Sequence, residues 1–252
     1  MKNCFLCLAI LLALSVGAAD AQSLIYERGS AGSAPPGDGC EEGEVPDDGT
    51  VEAGFGWAEF ITYAGFVERF DAAAFPSGLE RVCICFLSGS NDPGDFEQSF
   101  QIVVYDDDGP AGAPGTLLAS IPAMATNVPV NPPGAFYDYD LTGQVTSLPS
   151  DGNVYIGIEW QPNVEENFAV CIDYDTPPNG GHTMSSTIPE WTPIQEVSPF
   201  FDYGSMVIRA VGAREAVVEI PTLGGIGLAL LAALLVVASL RALIRRRTSS
   251  SR

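Results

Sequence analysis

Carboxylates dominate the side chains that could do chemistry. Asp106-Asp107-Asp108-Gly109 leads into Pro114-Gly115-Thr116, and Asp92 and Asp95 flank Pro93-Gly94. Asp138 and Asp140 sit two apart, as do Asp173 and Asp175, so each pair shares one face of an extended segment. Oxygen donors on loops are the ligands calcium takes. Asp-Gly and Asp-Pro sequences also make tight turns. Asp106, Asp107 and Asp108 are therefore candidate calcium ligands, with turn formation as the competing reading. No EF-hand spacing follows, because the chain after Asp108 passes into Gly, Pro and Ala. Carboxylate pairs such as Glu159 with Asp173 suit glycoside hydrolysis. Trp57, Trp160 and Trp191, with Tyr137, Tyr139 and Tyr203, offer an aromatic platform for sugar. Trp160 shares its alternating face with Val154, Ile156 and Ile158, which places it in a core instead.

Other catalytic machinery is sparse. His182 is the single histidine, in Gly180-Gly181-His182-Thr183 with no nucleophile motif beside it. It reads as a solvated histidine at a loop-to-strand junction. The imidazole and thiolate set of a zinc site is missing. No catalytic residue is assigned and no cofactor is expected beyond calcium.

Cys40, Cys83, Cys85 and Cys171 follow the N-terminal segment. An even cysteine count in an exported domain points to disulfides. Cys83 and Cys85 lie two apart on one strand, with Cβ atoms ~7 Å apart, too far to bond to each other. Each is expected to join Cys40 or Cys171. A reduced metal site is the alternative, and no CxxC pair supports it.

Short strands must position these groups. Leu79–Leu87 alternates Val82, Ile84 and Phe86 with Arg81, Cys83 and Cys85. Ser99–Tyr105, Val154–Trp160, Phe168–Tyr174 and Gly204–Val211 alternate in the same way. Weaker strands are expected at Phe66–Phe70, Thr116–Ile121, Ala135–Leu141 and His182–Ser186. Asn, Asp, Pro and Gly clusters separate them. About nine strands without helical periodicity predict an all-β fold, an antiparallel β-sandwich with a jelly-roll arrangement. Residues 22–53 are rich in Gly, Pro and acids, and are expected to drape loosely, tied down at Cys40.

The chain has 252 residues and a net charge of −21. Between Gln22 and Ala213 the only bases are Arg28, Arg69, Arg81 and Arg209, against about 29 acids. Such a surface repels polyanions, which excludes nucleic acid as a partner of this region.

Both ends read as addresses. Lys2, the apolar run Phe5–Val16 and Ala19-Asp20-Ala21 form the pattern of a secretory signal peptide over residues 1–21, to be passed through the Sec translocon. No small-residue cleavage triplet precedes Cys4 or Cys7, which argues against a lipoprotein. Ile220–Leu240 carries no charge, and a helix of that length spans roughly 30 Å, the hydrocarbon thickness of a bilayer. The basic cluster Arg245, Arg246 and Arg247 fixes a single span with its N-terminus outside.

Ile220, Pro221, Thr222, Leu223 and Gly224, then Gly227-Leu228, the apolar run and the arginines resemble the IPTL-CTERM sorting signal. That signal is related in layout to the PEP-CTERM signals of Gram-negative bacteria. Ile226 stands where the family usually carries tryptophan. The resemblance implies export, transient anchoring in the inner membrane, and processing by an exosortase-like membrane protease. Delivery would be to the cell surface or extracellular matrix. Tyr105–Gly109, Pro114–Leu118 and Met206–Ala210 also resemble the jelly-roll-like β-sandwich modules of secreted bacterial surface proteins, which imply no catalytic residues.

The expected layout is a signal peptide (1–21), an acidic lead (22–53), a β-sandwich (54–213), a linker (214–219), a sorting signal with its membrane helix (220–247) and a cytoplasmic tail (248–252). The expected role is a non-enzymatic structural or adhesive surface protein that binds glycan, matrix components or calcium. The alternative is a secreted glycoside hydrolase on the same scaffold.

Overall fold

A computed structural model of the chain describes residues 23–25, 32–33, 43–57, 61–88, 97–130, 133–161, 168–174, 176–177, 179–197, 204–213 and 235. The signal segment, Cys40, Asp92, Asp95, Asp175, Tyr203, Ile220–Gly227 and Arg245–Arg247 lie outside these residues. Two compact units divide the chain, Met1–Arg214 and Glu215–Arg252. Among the described residues, no helix is long and apolar enough to cross a membrane.

The first unit is all-β. Its strands in chain order are β1 (Ser23–Ile25), β2 (Gly32–Ser33), β3 (Thr50–Val51), β4 (Ala53–Trp57), β5 (Ala64–Asp71), β6 (Leu79–Ser88), β7 (Glu97–Asp106) and β8 (Leu117–Thr126). There follow β9 (Ala135–Val145), β10 (Asn153–Trp160), β11 (Phe168–Asp173), β12 (His182–Ser185), β13 (Thr192–Pro193), β14 (Ser205–Met206) and β15 (Ile208–Gly212). A single helical turn, α1 (Ile194–Val197), follows β13.

Seven strands form one sheet, built around β1, β4, β11, β6 and β15 with β9 and β14 attached. Six form the other, in the order β13-β12-β5-β10-β7-β8. All strand pairings named here are antiparallel. One parallel bridge, Ser88 to Val130, lies outside them.

The two sheets bury their alternating faces against each other. Val82, Ile84, Phe86, Val170 and Ile172 from the first meet Phe66, Phe100, Ile102, Ile156 and Ile158 from the second in one core. Aromatic rings fill its middle: Phe86 and Phe168 have centroids 4.6 Å apart, and Phe66 and Trp160 are 5.4 Å apart. The buried Trp57 indole N–H donates to Thr183 Oγ1 at 3.0 Å, so its polar atom is satisfied.

Glu68 breaks the pattern of β5, a carboxylate with no exposure among core-facing residues. Its Oε2 accepts the Met206 N–H at 2.9 Å and so ties the two sheets together. Burial of a carboxylate is tolerated where backbone donors replace water.

On one side β6 pairs with β9. On the other it pairs with β11 over Phe86–Ser88 and with β15 over Leu79–Ile84. The chain from Ser205 to Gly212 enters where β11 and β6 diverge. Val207 closes this fork: its N–H donates to the Cys171 carbonyl at 2.9 Å, and its carbonyl accepts the Cys85 N–H at 3.0 Å. A Cys85–Cys171 disulfide, Cα–Cα 5.3 Å, clamps the two strands there.

Gly134 lies over the disulfide with φ +72°, and an added Cβ would meet Cys171 Sγ at 2.5 Å and the Phe86 carbonyl oxygen at 2.8 Å. Both the backbone conformation and the space demand glycine. Gly134→Ala is expected to cost about 2 kcal/mol in urea unfolding. A loss under about 0.5 kcal/mol would show that the turn yields freely.

The described parts of the acidic lead are paired to the sandwich. The backbone of β1 pairs with β4, and β2 pairs with β3. Glu44 exchanges backbone hydrogen bonds with Ala210 at 2.8 and 3.3 Å. Asp47 is buried against Arg209, with Arg209 Nε to Asp47 Oδ2 at 3.0 Å. The Arg209 guanidinium stacks 4.4 Å from the Phe136 ring centroid. Val51 packs among Cys85, Leu87, Ala169, Cys171 and Val207, the outer face of the first sheet. Low apolar content suggested looseness; over residues 43–53 backbone pairing and one buried ion pair hold the chain.

Candidate functional site

A groove of about 540 Å³ lies at one end of β5, β10 and β7, where the core residues Ala64, Trp160 and Phe100 reach its wall. Tyr63, Gln98, Ser99, Gln101, Glu159 and Gln161 supply its polar groups. Strand alternation explains the placement. On β10 the core takes Ile156, Ile158 and Trp160, leaving Tyr155 and Glu159 outward. On β7 the core takes Phe100, Ile102 and Val104, leaving Gln101 and Tyr105 outward. The register sets Glu159 opposite Gln101, and Tyr155 opposite Tyr105.

These side chains are held before any ligand arrives. The Tyr105 hydroxyl donates a short hydrogen bond to Glu159 Oε1. Gln101 Oε1 accepts from Ser120 Oγ at 3.3 Å, which leaves its amide N–H₂ as a donor. Gln98 Nε2 donates to the Ser99 carbonyl at 2.7 Å, which leaves its Oε1 as an acceptor. Trp191 stands edge-on to Tyr105, centroids 5.4 Å apart. A Cβ built on Gly65 would touch both Trp191 Cη2 and Glu159 Cγ, at 3.0 and 3.2 Å, so the indole stands beside the carboxylate stem.

Burial, then the hydrogen bond and charge of Glu159, push the Tyr105 phenol well above its ordinary range. Burial and neighbouring Tyr137 do the same to Tyr139. A phenol whose folded pKa exceeds its unfolded one adds stability that is complete below the unfolded value. That stability is lost as pH rises from the unfolded value through the folded one. Alkaline spectrophotometric titration should therefore show exposed tyrosines ionising near pH ~10 and a later group including Tyr105 and Tyr139. Tyr105→Phe should remove one phenol from the late group; an unchanged late amplitude would contradict the assignment.

His182 is buried, not solvated. Its ring meets Tyr155 edge-on at 5.1 Å, and its Nδ1 faces the Gly180 carbonyl oxygen at 2.8 Å. Burial lowers its pKa, as the loss of water disfavours imidazolium. It packs the flank of the outer face and has no hydroxyl or thiol nucleophile among these contacts.

The carboxylates singled out by sequence do not converge. Glu159 faces outward from the second sheet. Asp173 faces outward from the first, since Phe168, Val170 and Ile172 of β11 point inward. The sandwich thickness, ~10 Å of side chains between sheets, separates them, so this pair cannot flank one glycosidic bond. Asp173 is fully buried and accepts from Asp48 N–H and Thr176 N–H at 2.8 and 3.0 Å.

Asp106, Asp107 and Asp108 each serve a different local donor. Asp106 takes Asp107 N–H, Asp107 takes Asn153 N–H, and Asp108 takes Thr116 N–H, at 2.9, 2.8 and 2.6 Å. The Thr116 hydroxyl and amide bonds hold the Asp108 carboxyl below its usual range. Asp106 and Asp108 thus serve their own turns, while Asp107 ties this turn to the start of β10. Among the described residues no three acidic, cysteine or histidine side chains gather as a metal-binding group. Asp138 lies 3.3 Å from Arg81, and Asp140 caps Thr142.

Trp57 and Trp160 are core residues, while Tyr137 and Tyr139 pack against the core from the sheet edge. Their hydroxyls donate to the carbonyls of Thr126 and Met124 on β8. Of the three tryptophans Trp160 lines the groove from the core side, and Trp191 stands next to it beside Tyr105 and the Glu159 stem. Gln98, Gln101 and Gln161 escaped sequence reasoning because single glutamines carry no motif; the pairing of β7 with β10 sets Gln101 opposite Glu159, and Gln98 and Gln161 lie just beyond that register.

The oxidised cysteines agree with elimination from spacing. Cys83 is also disulfide-bonded, and its partner lies outside the described residues. No family model matches the chain, and comparisons with curated proteins and with solved structures found no match.

Proposed function

We propose that this chain is an exported, non-catalytic β-sandwich, with jelly-roll connections, displayed at the cell surface or in the extracellular matrix. The observation that carries the reading is the Cys85–Cys171 disulfide. Structural disulfides belong to oxidising compartments, and the signal-like residues 1–21 supply the route through the Sec translocon. Ile220–Gly227, the apolar run and Arg245–Arg247 act as a sorting signal that an exosortase-like membrane protease removes. Single carboxylate Glu159, alone among the described groove residues, suits binding better than glycoside hydrolysis, which uses two.

Cell fractionation with intact-mass measurement of the chain, expressed in a Gram-negative host that carries an exosortase, tests this. The expected product is surface-exposed, oxidised, and lacks residues 1–21 and Leu228–Leu240. A cytosolic product with reduced cysteines overturns export. A surface product that retains Leu228–Leu240 makes the tail a permanent anchor.

A further inference from the structure

We propose that the groove at one end of β5, β10 and β7 binds a neutral oligosaccharide. This goes a step beyond the proposed surface display, on which its biological role rests, and names a ligand class for one site. The lining joins three amides, one carboxylate, a phenol and a hydroxyl to the apolar Ala64, Phe100 and Trp160, with no cationic side chain among the described lining residues. A chain of net charge −21 with no base in the groove repels phosphates, sulfates and uronates.

The order of donors and acceptors fits sugar hydroxyls. A hydroxyl both donates and accepts. Gln101 presents a free N–H₂ because Ser120 occupies its oxygen. Glu159 sits directly opposite on β10, with Oε1 taken by Tyr105 and Oε2 left to accept. One hydroxyl can donate to Glu159 and accept from Gln101, or two vicinal hydroxyls can divide the pair. Gln98 offers a second acceptor through Oε1. Trp160, Phe100 and Tyr63 line the groove and supply aromatic surface for the apolar face of a pyranose ring, with Trp191 beside the Glu159 stem.

An extended peptide fits less well. Strand addition needs an unpaired edge, and both β7 and β10 are hydrogen-bonded on each side. The groove therefore has no main-chain ladder to offer, only side-chain hydrogen bonds.

The test is isothermal titration of the full chain, held in a detergent without a sugar headgroup. The probes are maltohexaose, cellohexaose, laminarihexaose and xylohexaose, with tetragalacturonate and an unrelated hexapeptide as controls. At least one neutral hexasaccharide should bind, and neither control should. Gln101→Leu and Glu159→Gln should each weaken binding about tenfold or more, since each leaves a ligand hydroxyl without its partner. Gln161→Ala, at an exposed position outside the strands, checks the site without risk to the fold and should weaken binding to a lesser degree.

The proposal is overturned if no neutral hexasaccharide binds, or if binding survives Gln101→Leu and Glu159→Gln unchanged. Preference for tetragalacturonate or the peptide also overturns it. These outcomes are independent of the fractionation result: a surface-exposed chain that ignores every glycan keeps the display role and loses only this site.

Discussion

Replacing both Cys85 and Cys171 with alanine is expected to lower the stability of the sandwich by roughly 4 kcal/mol. The two cysteines are 86 residues apart in sequence, so the bond closes a long loop in the unfolded chain. Loop-closure entropy makes long loops the most stabilising to close. The bond also lies where β11 and β6 diverge around Val207, so its loss lets three strands separate at once. Guanidinium unfolding of the oxidised double variant against the parent measures the effect. A difference under about 1 kcal/mol would mean that the β-ladder alone fixes the fork.

Asp47→Ala should cost about 3–5 kcal/mol. Asp47 has no side-chain exposure and Arg209 only 8%, so the substitution strands a buried guanidinium against Phe136. It also removes the acceptor of the Gly49 N–H. Arg209→Met in the same chain should recover part of the loss, because an apolar side chain can take the place of the guanidinium over Phe136. Hydrogen exchange should rise first across Thr50–Trp57 in the single variant. If the single and double variants unfold at the same denaturant concentration, the penalty does not come from the unpaired charge.

Alternation made much of the sandwich legible in the sequence. Val82, Ile84 and Phe86 face the core and Cys83 and Cys85 face away, as period two requires. The strand Ala53–Trp57 was hidden because Gly54 and Gly56 interrupt its pattern. Both glycines are there for space: a Cβ on Gly54 would run into Leu87 at 2.7 Å, and one on Gly56 into the Phe168 carbonyl oxygen at 2.5 Å. Strand β8 runs through Pro122 to Thr126, beyond the expected end at Ile121. Proline is tolerated there because an edge strand has one side free of partners.

The candidate site was less legible for a different reason. Acid runs drew attention to Asp106–Asp108, where Asp106 and Asp108 bond within their own turn and Asp107 bonds Asn153 of β10. Glu159 was noted, but its intended partner Asp173 belongs to the opposite sheet. A sequence gives the face of a residue along its own strand. It does not give the neighbour across the ladder, and the groove is made of such neighbours.

The two ends of the six-stranded sheet share a property. β8 carries Pro122 and β13 carries Pro193, one at each border. An open strand border is a template on which further chains can polymerise, and a missing amide proton spoils the template. With both borders so marked, this sheet is a poor seed for fibres.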